Sequence, residues 1–267
     1  MLKKLIVGMI CVGGLFGMTG REVMDKQKQL QSTDTEQSHE LMILINEDGS
    51  KEKRELKRYI KKNKEKDLTD SLIVFVKPAD VSGTALLNKQ YSKDKENQWL
   101  YMPELKKLQR IAQGSKKNYF MGTDFTYEDL SSDKLDNYQY EILKEEPLKV
   151  AKTDKTDDCY VVEAIPTDSY RPKTSYGKKV IWITKNHFYT KKISFYSKKG
   201  KLIKTEVSWN FVNPTGTIYR PIKIKVNNIK ENHKTLVKVV KLKINKPIKS
   251  KVFTQRYVLN EEHMLGE

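Results

Sequence analysis

From Leu41 to Asn245 the hydrophobic positions recur mainly at a spacing of two, the period of a strand with one face buried. Leu41-Met42-Ile43-Leu44-Ile45 predicts a strand. Asp48-Gly49 predicts the turn into a partner over Glu55–Lys62, where Leu56 and Ile60 stand among charges. Ser71–Val76 predicts the next strand, and Ala85–Leu87 with Trp99–Met102 a further pair. A short run at Leu108–Ala112 and a helical turn near Tyr127–Leu130 follow. Strands resume at Tyr138–Leu143, Cys159–Ile165, Lys179–Thr184, Lys191–Tyr196, Leu202–Trp209, Thr217–Val226 and Thr235–Asn245. Lys198-Lys199-Gly200 and Asn213-Pro214-Thr215-Gly216 read as turns. Helix is predicted only between Arg21 and about Glu40, where Val23, Met24, Gln27 and Leu30 give a thin apolar stripe before a flexible stretch. Many short strands and almost no strong helix predict a mainly β protein with a few helices, an antiparallel sheet, sandwich or open barrel. No Pro- or Ser-rich linker divides it, so one domain is expected.

The alternation also sorts side chains. Ile193 and Phe195 alternate with Lys192 and Ser194, and Val207 and Trp209 with Glu206 and Ser208. A strand with one apolar and one charged face lines an interior, either a filled core or a ligand cavity.

The N-terminus changes the compartment. Met1-Leu2-Lys3-Lys4 is a short basic segment, Leu5–Met18 an apolar run with glycines, and Thr19-Gly20 a small-residue junction before Arg21. This is the layout of a secretory signal peptide cleaved near Gly20, too short and glycine-rich for a comfortable membrane span. Ile10 before Cys11 is not the small residue that lipid attachment needs. Residues 21–267 are then expected as one exported domain.

The charge of +17, from 51 Lys+Arg against 34 Asp+Glu, first suggests a polyanion. Two units leave with Lys3 and Lys4. The remainder is overwhelmingly Lys, whereas base readout and bidentate phosphate gripping favour Arg. Export makes nucleic acid a poor partner, and contact with anionic headgroups is the alternative. Removal of Cys11 leaves Cys159 alone, as a small buried hydrophobe.

Chemical motifs are not found. His39, His187, His233 and His263 are scattered without metal-ligand spacing, no nucleophile elbow or phosphate-cradling loop is present, and no cofactor is expected. Two runs stand out instead: Trp99-Leu100-Tyr101-Met102-Pro103-Glu104-Leu105-Lys106-Lys107-Leu108-Gln109-Arg110-Ile111 and Phe120-Met121-Gly122-Thr123-Asp124-Phe125-Thr126-Tyr127-Glu128-Asp129-Leu130. On these runs the sequence resembles the outer membrane lipoprotein-sorting proteins of the LolA/LolB/LppX superfamily. The likeness continues through Lys204-Thr205 and Phe253–Tyr257. Thr123 stands where Ser is expected, which keeps a hydroxyl.

The resemblance implies a highly curved antiparallel half-barrel (LolA-like) with helices covering the concave face. It implies a non-enzymatic periplasmic carrier of lipid or lipoprotein acyl chains towards the outer membrane. The alternative it allows is an accessory subunit of an inner-membrane lipid or efflux transporter. Expected cavity-wall residues are Phe75, Trp99, Tyr101, Phe120, Trp182, Phe195 and Trp209, with ordinary core packing as the competing role of each. Arg110, Asp124 and Tyr127 are expected to pin a loop to the sheet by a charge-assisted contact, or to meet a headgroup.

Overall fold

The structure, a computed structural model, describes residues 17–63, 65–132 and 134–265. The basic and apolar leader therefore lies outside the described residues up to residue 16. The first element is the helix α1 (Gly20–Leu30). Six strands follow: β1 (Thr35–Ile45), β2 (Lys51–Asn63), β3 (Leu68–Lys77), β4 (Ala85–Gln90), β5 (Glu96–Met102) and β6 (Lys107–Arg110). After an irregular stretch come β7 (Tyr138–Leu148), β8 (Asp157–Pro166), β9 (Tyr176–Thr184), β10 (Thr190–Ser197), β11 (Leu202–Val212), β12 (Arg220–Asn228) and β13 (His233–Ile244). The chain ends with the short helix α2 (Gln255–Leu259).

All thirteen strands belong to one antiparallel sheet, ordered β6-β5-β4-β3-β2-β1-β13-β12-β11-β10-β9-β8-β7. Strands adjacent in sequence are neighbours, as short connections require. The exceptions are β1 with β13, which join at the centre, and β6 with β7, which form the two opposite edges. The sheet is not closed. Residues 111–137 connect one edge to the other, so they must cross a face of the sheet.

That face, called the front here, carries Met42, Leu44, Leu56, Phe75, Leu86, Leu100 and Val237, with Phe120 and Tyr127 of the crossing segment packed onto them. The register carries the same face across to Ile193, Ile181 and Val162, where Val23 and Met24 of α1 pack. The chain leaves β13 on the other side. Ile248, Val252, Phe253, Tyr257 and Val258 cover Leu72, Val74, Leu87, Trp99 and Tyr101 on the back face.

Three expectations change. The stretch after α1 is not flexible, because Thr35–Glu40 begins β1 and is paired on both sides, by β2 and β13. Its inward side chains are polar, so hydrophobic periodicity does not mark it; Ser38 donates to Glu40, and Glu36 holds Arg220. Front-face cover comes from α1 over β7 and β8 and from the irregular crossing segment, and not from a set of helices. Val207 and Trp209 lie on the back, since Glu206 stands opposite the front-facing Ile193 and Val226.

Candidate functional site

The seven aromatic candidates do not share a surface. Phe75 and Phe195 are on the front face, and Phe120 stacks on Phe75 with ring centroids 5.5 Å apart. Trp99 and Tyr101 are on the back under the C-terminal segment. Trp182 is also on the back, opposite Val161 and Lys192 in the register, and Trp209 faces back opposite Lys223. The physical reason is the period of two: one position along a strand moves a side chain to the other face, and no single strand reveals which face will be covered.

The polar candidates also separate. Asp124 is buried, and its Oδ2 accepts from the Thr235 hydroxyl at 2.8 Å and lies 2.8 Å from His233 Nδ1. Its own amide donates to Thr235 Oγ1 at 2.9 Å. Asp124 thus ties the crossing segment to β13. Tyr127 contributes bulk and backbone: its ring is edge-on to Phe120, and its carbonyl accepts from Gln98 Nε2 at 2.8 Å. Arg110 does not join them; its guanidinium donates to Asn97 on the neighbouring strand, at the exposed sheet edge.

Sequence reasoning missed the second anchor of this segment. Lys204 Nζ, almost fully buried on β11, forms an ion pair with Asp129 and donates to the Tyr176 hydroxyl at 2.7 Å. The Tyr176 hydroxyl in turn donates to Asp129 Oδ1 at 2.8 Å. Burial alone would push the Asp129 carboxyl up, but the charge and hydrogen bond of Lys204, with the Thr126 amide bond, together outweigh it and hold the group below the usual range. Glu128 accepts from the Ser175 amide at 2.9 Å and from the Thr174 hydroxyl, fixing the loop between β8 and β9. The available signal was the likeness at Lys204-Thr205; only the register, opposite Phe195, puts this lysine on the front face.

Between α1 and the crossing segment the front face is less covered. Ile60, Ile193, Ile224 and Val239 are only half-buried there. Beside Ile60 a cavity of about 510 Å³ opens between α1, residues 132–137 and the strand ends. Its walls include Lys28, Glu36, Lys62, Asp67 and Arg220, and Ile60 and Leu135 are its apolar lining residues, so the cavity is mainly polar. Lys28 and Lys62 both pair with Asp67 across it, at 3.0 and 2.9 Å. Cys159 is fully buried on the back, with its thiol pushed up to about 12 by burial, which makes it inert.

Residues 67–260 match the model of a family described as "Uncharacterized protein"-like. The chain belongs to this family, and its fold is LolA-like. A domain described as an outer membrane lipoprotein-sorting protein domain, from Vibrio parahaemolyticus, superposes on this LolA-like chain with a TM-score of 0.82. It is 29% identical, over 90% of this chain and 98% of its own. A DUF1329 family protein from Desulfovibrio piger gives 0.81 at 26% identity, over 90% and 97%. A LolA superfamily protein from Nitrosomonas europaea gives 0.68 at 21%, over 90% and 100%, a likeness of fold. A search of the curated proteins finds no match. Among the described residues no helix is long and apolar enough to cross a membrane.

Proposed function

We propose that this LolA-like chain is a non-enzymatic periplasmic carrier that holds lipid or lipoprotein acyl chains against the front face of a curved half-barrel and moves them towards the outer membrane. The observation that carries this reading is that Ile60, Val239, Ile224 and Ile193 stay half-buried between two covers on one face of an open sheet, as apolar positions interleaved with Glu36, the Glu40–Arg58 pair and Glu206. An acyl chain laid along these apolar positions removes CH₂ groups from water at about 0.8 kcal/mol each. The charged cavity walls at Lys28, Lys62 and Arg220 suit a headgroup or ester left in water. The likeness to the lipoprotein-sorting domain supports the same reading.

On this proposal the wall residues divide differently from the sequence expectation. Phe75 and Phe195 lie on the sheet beneath the crossing segment, Phe120 packs onto Phe75 from that segment, and the half-buried positions beside them receive the chain. The test is solvent extraction of the protein purified from the periplasm, followed by mass spectrometry, together with uptake of a fluorescent fatty acid. Stoichiometric lipid, and uptake weakened at least 10-fold by Ile60→Asp with Val239→Asp, are expected from losing these apolar positions. An empty protein that takes up no fatty acid overturns the proposal.

A further inference from the structure

The back face is buried at both flanks and open in the middle. The C-terminal segment covers β3–β5, and at the other flank Cys159, Val161, Val180 and Trp182 form a buried cluster with Leu148 of β7 packed against it. Between these flanks the register lines up three rows of back-facing side chains. One row runs Trp209, Lys223, Lys238, Leu41 and Glu55 across β11, β12, β13, β1 and β2. The next runs Val207, Lys225, Leu236, Ile43 and Lys53, and the third Thr205, Asn227, Lys234, Ile45 and Lys51.

Six lysines and a single acid occupy these rows. Glu55 is already engaged by Lys77 at 3.1 Å and His39 at 3.2 Å. Among the described residues none of the six lysines has an ion-pair partner, whereas Lys62 and Lys204 on the front face and Lys28 on α1 each have one. Five of the six are exposed and Lys223 is half-buried beside Trp209. The apolar residues between them, Leu41, Ile43, Leu236 and Trp209, are exposed or half-buried rather than covered.

We infer that this central back face docks the protein on an anionic lipid bilayer. Unpaired like charges held together on a rigid sheet repel one another and gain most from a negatively charged partner. The lysines are spaced about 5 Å across strands and about 7 Å along them, a two-dimensional array that matches a plane of headgroups better than the line of phosphates on a duplex. Lys without Arg suits diffuse attraction to headgroups over bidentate gripping. Exposed aliphatic side chains and an interfacial Trp suit the headgroup–acyl boundary. This inference does not depend on the carrier reading, because it concerns the opposite face of the sheet.

The test is flotation of the full exported protein with phosphatidylcholine vesicles and with mixed phosphatidylcholine–phosphatidylglycerol vesicles. Binding to the mixed vesicles alone, weakening as salt rises, is expected. Lys223→Glu, Lys225→Glu and Lys238→Glu together should weaken it on the order of 100-fold. The same charge change at Lys198, Lys199 and Lys201, in the exposed hairpin between β10 and β11, should leave binding largely intact. A second reading leaves the lysines untouched: with Trp99→Phe and Trp182→Phe, the emission of Trp209 should shift to the blue on anionic vesicles. Fatty-acid uptake without vesicles should be unchanged in the Lys223 triple variant, which separates this face from the front. Equal binding to neutral vesicles, equal loss in both triple variants, no Trp209 shift, or tighter binding to duplex DNA than to anionic vesicles would overturn the inference.

Discussion

Lys204 Nζ and the Tyr176 hydroxyl lie 2.7 Å apart under the crossing segment, and both bind the Asp129 carboxylate. The three groups join β11, β9 and the segment that spans the sheet from edge to edge. Removing one member of a buried pair leaves the other charge without compensation, at a cost of roughly 3–5 kcal/mol. Lys204→Met is therefore expected to lower the urea midpoint sharply, and Lys204→Met with Asp129→Leu to recover much of the loss. A double variant no more stable than the single one would show that the pair is not what holds the segment.

The same pair sets an acid limit. The Asp129 carboxyl is held below its ordinary range despite burial, because Lys204 and the Thr126 amide together stabilise the charged form; Asp157, beside Lys191, is likewise lowered against its burial. The folded chain then binds these protons less readily than the unfolded one. Their contribution is complete above the unfolded carboxylate pKa of about 4 and is lost as pH falls through the lower folded values. For these two groups, chemical-denaturation curves should give the same contribution at neutral and mildly acid pH and a steep loss below about pH 4. The loss should be shallower in the Lys204→Met, Asp129→Leu variant.

At the start of α1, Thr19 caps the helix: its hydroxyl accepts from the Glu22 amide at 3.2 Å, and Glu22 returns a contact to the Thr19 amide at 2.7 Å. Gly20 is pressed on β7, and a Cβ there would lie 2.7 Å from the Tyr140 carbonyl carbon. Thr19→Ala should cost about 1 kcal/mol, and Gly20→Ala should detach α1, read as faster proteolysis within residues 20–30. Cleavage after Gly20 would remove both groups. Mass spectrometry of the exported protein is expected to place its first residue at or before Met18, whose side chain packs with Val23 and Met24.

All three tryptophans, Trp99, Trp182 and Trp209, face the back of the sheet. An acyl chain entering from the front should leave tryptophan emission almost unchanged while a fluorescent fatty acid reports its own binding. A large tryptophan shift on fatty-acid uptake would place the ligand on the back face and remove Ile60, Val239, Ile224 and Ile193 from the site.

Much of the sheet is legible in the sequence because each half-buried strand carries its own period. Leu41–Ile45, Ser71–Val76, Cys159–Ile165 and Lys191–Tyr196 all fall inside observed strands, and the Ala85–Leu87 and Trp99–Met102 runs pair as expected, Leu87 opposite Trp99. Thr35–Glu40 escapes this signal because its inward partners, Arg58 and Arg220, are polar and distant in sequence. Of the loop contacts, Asp124 was visible as a residue type, whereas Lys204, Tyr176, Thr235 and His233 become its neighbours or those of Asp129 only through the register.

Hydrophobic spacing, turn residues and the two signature runs determine by themselves that this chain makes a many-stranded antiparallel LolA-like sheet. They also determine a lysine-rich surface, because alternation puts charge opposite each apolar side chain. Which side of each strand is front is a tertiary matter. It follows from the pairing of β1 with β13 and from the separation of β6 and β7, which sends residues 111–137 across one face and residues 245–265 over the other. A period of two distinguishes the two sides of a strand and assigns neither; only the segment that covers one side does that.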